Sequence, residues 1–187
     1  MKKNLIILII CTLFFSLYSK VMAYDEAKYN VVKKNDIYEI REYSDRLVVQ
    51  TVSKNGNNSF RKLFSYISGQ NENSEKIKMT TPVTQIKKED EIIMQFFLPP
   101  RFNKNNFPNP IRSDLEVKNI EAGFYAVIQY SGRASEKNYI KHKKILENAL
   151  LEESISIIGA EIRATYNSPF AIPMLRRNEA MFKVSWN

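Results

Sequence analysis

The order of apolar periodicities along the chain constrains its fold more than any other feature. Four stretches alternate apolar and polar residues with the period of two that half-buried strands show. They are residues 92–98, 124–130, 160–166 and 180–186. Two further β-rich stretches, residues 37–43 and 47–52, precede them. The sequence therefore predicts a mostly β structure.

Two helices interrupt the predicted strands. Each carries an apolar stripe at helical spacing, and the second begins after Ser135, a good N-cap residue. The stripe residues are Phe60, Leu63, Phe64 and Ile67 in the first helix, and Tyr139, Leu146 and Leu150 in the second. The elements then repeat as two pseudo-symmetric β-α-β-β halves, about residues 27–98 and 111–187, joined by a Pro/Asn-rich crossover. We expect an α+β fold in which both halves share one barrel-like sheet.

The N-terminus predicts a signal peptide over residues 1–23. A short cationic start precedes an apolar run from Leu5 to Leu17, and Ala23 ends a segment with acceptable residues for cleavage. The alternatives are a membrane anchor, which calls for about 20 apolar residues, and a lipoprotein signal at Cys11. Cleavage leaves residues 24–187 as a single domain, exported to the periplasm or secreted. The formal net charge is +8, but the charged residues are of both signs, so the composition does not imply nucleic-acid binding.

The composition also excludes much chemistry. The chain has one Cys and one His, which rules out an intrachain disulfide, a multi-histidine metal site and a Cys-based cluster. No Gly-rich phosphate loop is present. The single His142 lies in the second predicted helix, as a structural residue or as an axial ligand to haem iron. These features predict a protein that is not an enzyme.

A second cluster of apolar residues lies in a Pro-punctuated segment near the C-terminus. It contains Phe170, Ile172, Met174 and Leu175, and its prolines exclude a central strand. Two interpretations stay open at this point. These residues either cover the sheet edges, or form an adaptable apolar cleft together with the first helix.

Seven motifs along the chain resemble the SOUL/haem-binding protein family. They occur in order and span about residues 27–187, and the most specific are IKMTTPV at 77–83 and RRNE at 176–179. The others are YEIREY at 38–43, YISGQN at 66–71, FLP at 97–99, YSG at 130–132 and YNSP at 166–169.

This resemblance implies a twisted antiparallel barrel with one helix on each repeated half. It also implies non-covalent binding of haem, or of another tetrapyrrole, in a shallow apolar cleft, for buffering or transfer by a monomer. The implied lining residues are Phe60, Leu63, Phe64 and Ile67 from the helix, with Phe170 and Met174 from the loop. Arg61, Lys62 or Arg176 would meet the haem propionates; alternatively, Arg176 and Arg177 are structural, and each pairs with Glu179 or with a backbone carbonyl. Since the first helix has no His, the haem is expected to lack a strong axial ligand.

Two other function classes fit the same architecture. Barrels with two repeats resemble the effector-binding domains of some transcription regulators, so the ligand is alternatively another amphipathic small molecule. The second helix carries a row of lysines at Lys137, Lys141 and Lys144. That row and the Pro/Asn-rich crossover are alternatively an envelope or protein-interaction surface, with weak association with anionic membranes.

Overall fold

The computed structural model describes residues 25–54 and 56–186. The predicted signal peptide and Cys11 therefore lie outside the described residues. Within the described part of the chain, no helix combines the length and apolar composition needed to cross a bilayer. The elements, in chain order, are β1 (Asp25–Glu26), β2 (Tyr29–Lys34), β3 (Glu39–Tyr43), β4 (Arg46–Ser53), α1 (Ser59–Ile67), β5 (Thr80–Thr81), β6 (Val83–Lys88), β7 (Glu91–Phe97), β8 (Glu116–Ile120), β9 (Gly123–Tyr130), α2 (Glu136–Glu152), β10 (Ile162–Thr165), a short 3₁₀ turn (Pro173–Leu175) and β11 (Asn178–Val184).

Nine strands form one antiparallel sheet in the order β2-β3-β9-β11-β10-β6-β7-β4-β8. The predicted α+β fold with one curled, barrel-like sheet and two helices is confirmed. Strands β6 and β10 pair at the centre and join the two halves. On either side of that pair, β7 and β4 mirror β11 and β9, so the predicted β-α-β-β repeat is present as β4-α1-β6-β7 and β9-α2-β10-β11.

Each half also receives a strand from the segment that precedes the other half. Strand β3 comes just before β4 in the chain but pairs with β9, and β8 comes just before β9 but pairs with β4. The two short connections that result lie against each other, because the Asp45 carboxylate accepts hydrogen bonds from the Ala122 backbone N–H (2.8 Å) and from Asn119 Nδ2 (3.0 Å). The halves are thereby tied together at a second place, far from the central pair in strand order.

Both helices pack on the same face of the sheet. Helix α1 covers β4 and β7 through Leu63 and Tyr66, which are fully buried, and Gly69 ends it with a φ of 108°. Helix α2 covers β9 and β11, and its first turn is capped by Ser135, whose side chain accepts from the Asn138 N–H (3.3 Å). We call this helix-bearing side the outer face.

The opposite side, called here the inner face, is the one around which the sheet curls. Side chains from strands at both edges meet there: Tyr29 of β2 and Ile120 of β8 line the same cavity, although these strands are first and ninth in the order. A small apolar cluster that includes Tyr43, Tyr125 and Met181 forms part of its floor. The fold therefore offers two distinct surfaces to a ligand.

Candidate ligand sites on the two faces of the sheet

Helix α1 presents a pair of aromatic rings to solvent on the outer face. Phe60 and Phe64 are 46% and 48% exposed, and their rings stack with centroids 6.1 Å apart and an angle of 12° between planes. Phe60 also meets the edge of Phe96 of β7, at a centroid distance of 5.1 Å. The spacing of one helical turn, i to i+4, places the two rings side by side. The result is a pair of half-exposed aromatic rings with nearly parallel planes on the flank of the helix.

The other two stripe residues of α1 face the sheet. Leu63 is fully buried and Ile67 is 5% exposed, and both pack in the cluster formed with β4 and β7. A helix turns about 100° per residue, so a stripe four residues wide spans both its buried side and its flank. Of the four helix residues assigned to the cleft, the structure therefore places two at the surface and two in the core.

The C-terminal bend, residues 166–177, carries the other exposed apolar side chains of the implied cleft. Phe170 is 96% exposed and Met174 80% exposed. The register of the sheet links this bend to α1, since Phe96 lies opposite Val83, and Val83 lies opposite Thr165, the residue before the bend. With neighbouring strands about 4.8 Å apart, the bend starts about 10 Å from the floor beneath Phe60.

The three candidate cations differ in what they already bind. Lys62 pairs with Asp114 at 3.0 Å. Arg176 holds the bend together, because its Nε donates to the Ala171 carbonyl (2.9 Å) and a terminal nitrogen donates to the Pro169 carbonyl. Arg61 is exposed, and no ion pair joins it to any other described residue. Of the three, Arg61 is the cation left for a ligand on this face.

His142 lies at a distance from α1 along the chain, in the second half of the repeat. Its ring stacks on Tyr130 of β9, with centroids 4.1 Å apart and planes 5° from parallel, and its Nδ1 lies 2.8 Å from the Asn138 carbonyl oxygen. This hydrogen bond occupies one ring nitrogen within α2 itself. Among the described residues, no group of three or more His, Cys, Asp or Glu side chains is placed to hold a metal ion.

The inner face holds a cavity of about 390 Å³, within the range of small-molecule sites. Strands from both halves line it, and most of the wall is apolar or aromatic. The wall includes Tyr29, Tyr43, Ile86, Phe97, Tyr125, Ile162, Tyr166 and Met181. The apolar residues of the predicted strand 160–166 line this cavity, but sequence periodicity did not indicate the cavity itself, which is a feature that the structure adds.

Arg46, the first residue of β4, reaches into this cavity between aromatic rings. Its guanidinium carbon lies 4.0 Å from the centre of the Tyr43 ring, 5.1 Å from that of Tyr125 and 5.3 Å from that of Phe97. Its Nε is buried without a hydrogen-bond partner, and no carboxylate within residues 25–54 and 56–186 forms a salt bridge with it. Burial lowers the pKa of Arg46 below its ordinary value, although arginine stays charged at neutral pH.

A second arginine on the same face is buried and fully paired. Arg41 of β3 donates to both carboxylate oxygens of Glu179 (3.0 and 3.1 Å) and pairs with Glu39 at 2.8 Å. The Tyr166 hydroxyl also donates to Glu179, at 2.6 Å, and Arg177 pairs with it at 2.9 Å. Burial opposes the charged form of Arg41, but the Glu179 carboxylate raises the pKa of Arg41 overall. Glu179 is therefore the anchor of a closed polar network.

A sequence model of the SOUL heme-binding protein family matches residues 24–183. The chain belongs to this family. Human Heme-binding protein 2 is 29% identical to it over 168 residues, which cover 80% of this chain and 78% of the human protein. The motifs YEIREY and RRNE that suggested the SOUL family supply Arg41, Arg177 and Glu179, so their side chains build the polar network just described.

Solved structures similar to this SOUL protein share its fold at low sequence identity. The C-terminal domain of EcmrR has a TM-score of 0.60 and 11% identity, and the match covers 84% of this chain and 98% of that one. A structure described as a hydrolase from Listeria innocua has a TM-score of 0.56 and 10% identity, and the match covers 82% of this chain and 94% of that one. At these identities the likeness shows the architecture alone.

The residues that sequence reasoning missed are Arg46, Tyr43 and Tyr125. A signal for them was present, because Tyr125 and Val127 alternate with the stripe of β9 that faces α2, so both faces of this strand carry apolar residues. A strand that is apolar on both faces is buried on both. That pattern indicates that the inner face is covered or enclosed. An arginine at the start of such a strand, as Arg46 is, indicates that a charged group lies on this face.

Proposed function

We propose that this protein binds haem or a related tetrapyrrole without catalysing a reaction, on the outer face between α1 and the C-terminal bend. The observation that carries the proposal is the half-exposed, stacked pair Phe60 and Phe64. Membership of the SOUL heme-binding protein family supports the ligand class. Exposed apolar surface of this kind is characteristic of binding sites.

The chemistry of this surface fits a porphyrin. A porphyrin has two flat apolar faces and carboxylates on one edge, and aromatic side chains bind such faces by offset stacking. The Phe60–Phe64 pair supplies the stacking partner, Phe170 and Met174 supply exposed apolar cover, and Arg61 supplies a cation for a carboxylate. Bound haem would contribute the visible absorption by which binding is followed.

The same surface argues for binding through apolar contact rather than through strong iron ligation. The only histidine, His142, lies in α2 and is stacked on Tyr130. Leu63 and Ile67 support α1 from below and hold Phe60 and Phe64 in place. A loosely held haem is suited to buffering or transfer, since its release does not require a strong iron–ligand bond to break.

Titration of the purified protein with haemin tests this proposal. We expect a shift of the Soret band with saturable binding, and a loss of about tenfold or more in affinity for Phe64→Asp, because a carboxylate repels the propionates and removes the stacking partner. Leu151→Asp is the matched control, as Leu151 is 78% exposed on α2. Unchanged spectra with the wild-type protein, or equal losses in both variants, would reject the proposal.

His142→Ala addresses the iron ligand separately. If apolar contact holds the haem, the Soret position and the affinity are those of the wild type. A blue-shifted band together with weaker binding would instead assign His142 as an axial ligand. Far-UV circular dichroism checks that α2 stays folded when the His142 ring, which stacks on Tyr130, is removed.

We also propose that the protein acts outside the cytoplasm as a monomer. The support is the cationic start and apolar run of residues 1–17, followed by Ala23. The test is expression of the full chain in a Gram-negative host and measurement of the intact mass of the protein in the periplasmic fraction. We expect the mass of a chain that begins at Tyr24. Ala23→Arg blocks cleavage in this scheme. Recovery of the uncleaved chain in the cytoplasm would contradict export.

A further inference from the structure

We propose that the cavity on the inner face is a second binding site, which takes an amphiphile with an apolar body and a single anionic head group. The head group pairs with Arg46, and the body lies along the apolar wall. This inference goes beyond the haem proposal and does not depend on it, because the two sites use opposite faces of the sheet.

The first support is the state of Arg46. A charge that is partly withdrawn from water is normally paired, because desolvation without a partner costs free energy. Arg46 has three aromatic rings around it and a buried Nε without a partner among the described residues. The rings stabilise the cation and leave the edge of the guanidinium, which carries its donors, to be satisfied from the cavity. An anion is the partner that this edge lacks.

The second support is that the nearby carboxylates are engaged elsewhere. Asp45 accepts from Ala122 and Asn119, Glu26 pairs with Arg177 at 3.0 Å, and Asp25 pairs with Lys78 at 3.3 Å. These acids lie close to Arg46 in sequence or along the cavity wall. Since each has its own partner, none of them neutralises Arg46.

The third support is the wall of the cavity, which matches an apolar body. Ile86, Ile162 and Met181 come from three adjoining strands of the two halves. Two polar side chains of the wall, Thr84 and Gln95, are already hydrogen-bonded: Thr84 Oγ1 donates to Gln95 Oε1 (3.1 Å), and Gln95 Nε2 donates to Gln50 Oε1 (2.7 Å). Arg46 lies among the aromatic rings of this wall and is the cation placed to receive a head group there.

The charges at the rim favour the same sign of ligand. Lys118 and Lys183 line the cavity together with Arg46, and Glu121 is the acid at the exposed rim. Glu26 also lines it but is paired with Arg177. The cavity thus carries an excess of positive charge, which attracts anions and repels cationic amphiphiles.

Calorimetric titration with three ten-carbon amphiphiles tests this site. The probes are decanoate, decyl sulfate and decyltrimethylammonium, each used below its micelle concentration. We expect decanoate to bind most tightly, since a carboxylate meets the guanidinium edge with two parallel hydrogen bonds, then decyl sulfate, and the cationic probe at least tenfold more weakly. Equal affinity for the anionic and cationic probes, or no binding of decanoate, overturns the proposal.

Variants connect the binding to Arg46. Arg46→Met keeps an unbranched apolar side chain, although a shorter one, and removes the charge, so decanoate affinity is expected to fall about tenfold. Arg46→Lys keeps the charge but not the guanidinium, so the expected fall is smaller. Lys137→Met is the control, because it removes one positive charge at an exposed position on α2. Decanoate binding that is equal in the wild type and in both Arg46 variants contradicts the assignment.

A cross-comparison separates the two sites. Phe64→Asp is expected to weaken haemin and leave decanoate binding unchanged, whereas Arg46→Met does the reverse. If decanoate competes with haemin in the wild type and both variants weaken both ligands, there is one shared site and the inner-face proposal is wrong. If haemin fails to bind and decanoate still shows its dependence on Arg46, only the haem proposal is lost.

Discussion

The two faces of the sheet are buried by different means. On the outer face, α1 and α2 cover the strands with aliphatic and aromatic side chains such as Leu63 and Leu146. On the inner face no helix covers the strands in the described structure, and tyrosines, arginines and Glu179 fill the curl around a cavity. Stability on the outer face thus depends on packing volume, whereas on the inner face it depends on charge pairing. A ligand is expected where that pairing is incomplete.

The largest effect is expected from breaking the paired region of the inner face. Glu179→Gln keeps the shape of the side chain but leaves Arg41 and Arg177 without their shared carboxylate. Removing one partner from a buried charge network costs about 3–5 kcal/mol, so we expect a loss of about 4 kcal/mol in the free energy of unfolding. Urea denaturation measures it, with exposed Glu91→Gln as control. A loss below about 1 kcal/mol would show that the network adds little to stability.

Packing on the outer face gives the next effect. Leu63 is fully buried beneath α1, so Leu63→Ala is expected to cost about 3 kcal/mol through lost burial and the cavity it leaves. Phe64→Ala, one residue along the helix but half exposed, is expected to cost less than about 1 kcal/mol. Thermal unfolding of both variants checks the difference. Equal losses would mean that Phe64 is part of the core and not a binding surface.

A half-buried arginine without a carboxylate partner, Arg46, and a buried, paired one, Arg41, sharpen the comparison within the inner face. Arg46→Met replaces an unpaired cation by an apolar side chain, and we expect it to raise the free energy of unfolding by about 1 kcal/mol. Arg41→Met removes a paired cation and leaves Glu179 short of a donor, with an expected loss of about 3 kcal/mol. Chemical denaturation of the two variants side by side measures the contrast. A loss for Arg46→Met would indicate that the aromatic rings alone satisfy its charge.

The smallest expected effect is on the loss of stability at acidic pH. Burial alone would raise the pKa of Glu39, but hydrogen bonds from Lys34 and Arg41 lower the pKa of this carboxyl overall. The stability that this carboxylate contributes is therefore present above its ordinary pKa of about 4.5 and is lost as the pH falls through the lowered value. Glu39→Gln should flatten the fall of melting temperature between about pH 5 and pH 3. The Glu91→Gln control should retain the full slope.

The outer face could be predicted from the sequence because its elements repeat with clear periods. The stripe of Phe124, Ala126, Ile128 and Tyr130 does pack against α2, and Met94, Phe96 and Leu98 do pack against α1. The predicted second helix, its Ser135 cap and its buried Tyr139, Leu146 and Leu150 are confirmed as well. In each case the period of the apolar residues indicates which side of the element faces the core, so a local sequence pattern is enough to predict the packing.

The inner face could not be predicted in the same way because its contacts join distant parts of the chain. Arg46 meets Tyr125, and Arg41 meets Glu179, through strand pairings that no local pattern records. Strand β8, with the sequence EVKNI, has few apolar residues and was not predicted. Strand β6 lies at the centre of the sheet, and its Lys87 and Lys88 weaken its β pattern. The apolar periods and the family resemblance predict the fold, whereas the cavity depends on long-range pairings that neither of them describes.

The exchange of β3 and β8 between the halves has a consequence for the growing chain on the ribosome. Strand β3 emerges early, but its partner β9 is translated only after the whole first half and the Pro/Asn-rich crossover. Neither half can complete its own edge by itself, so the early half stays open until late in translation.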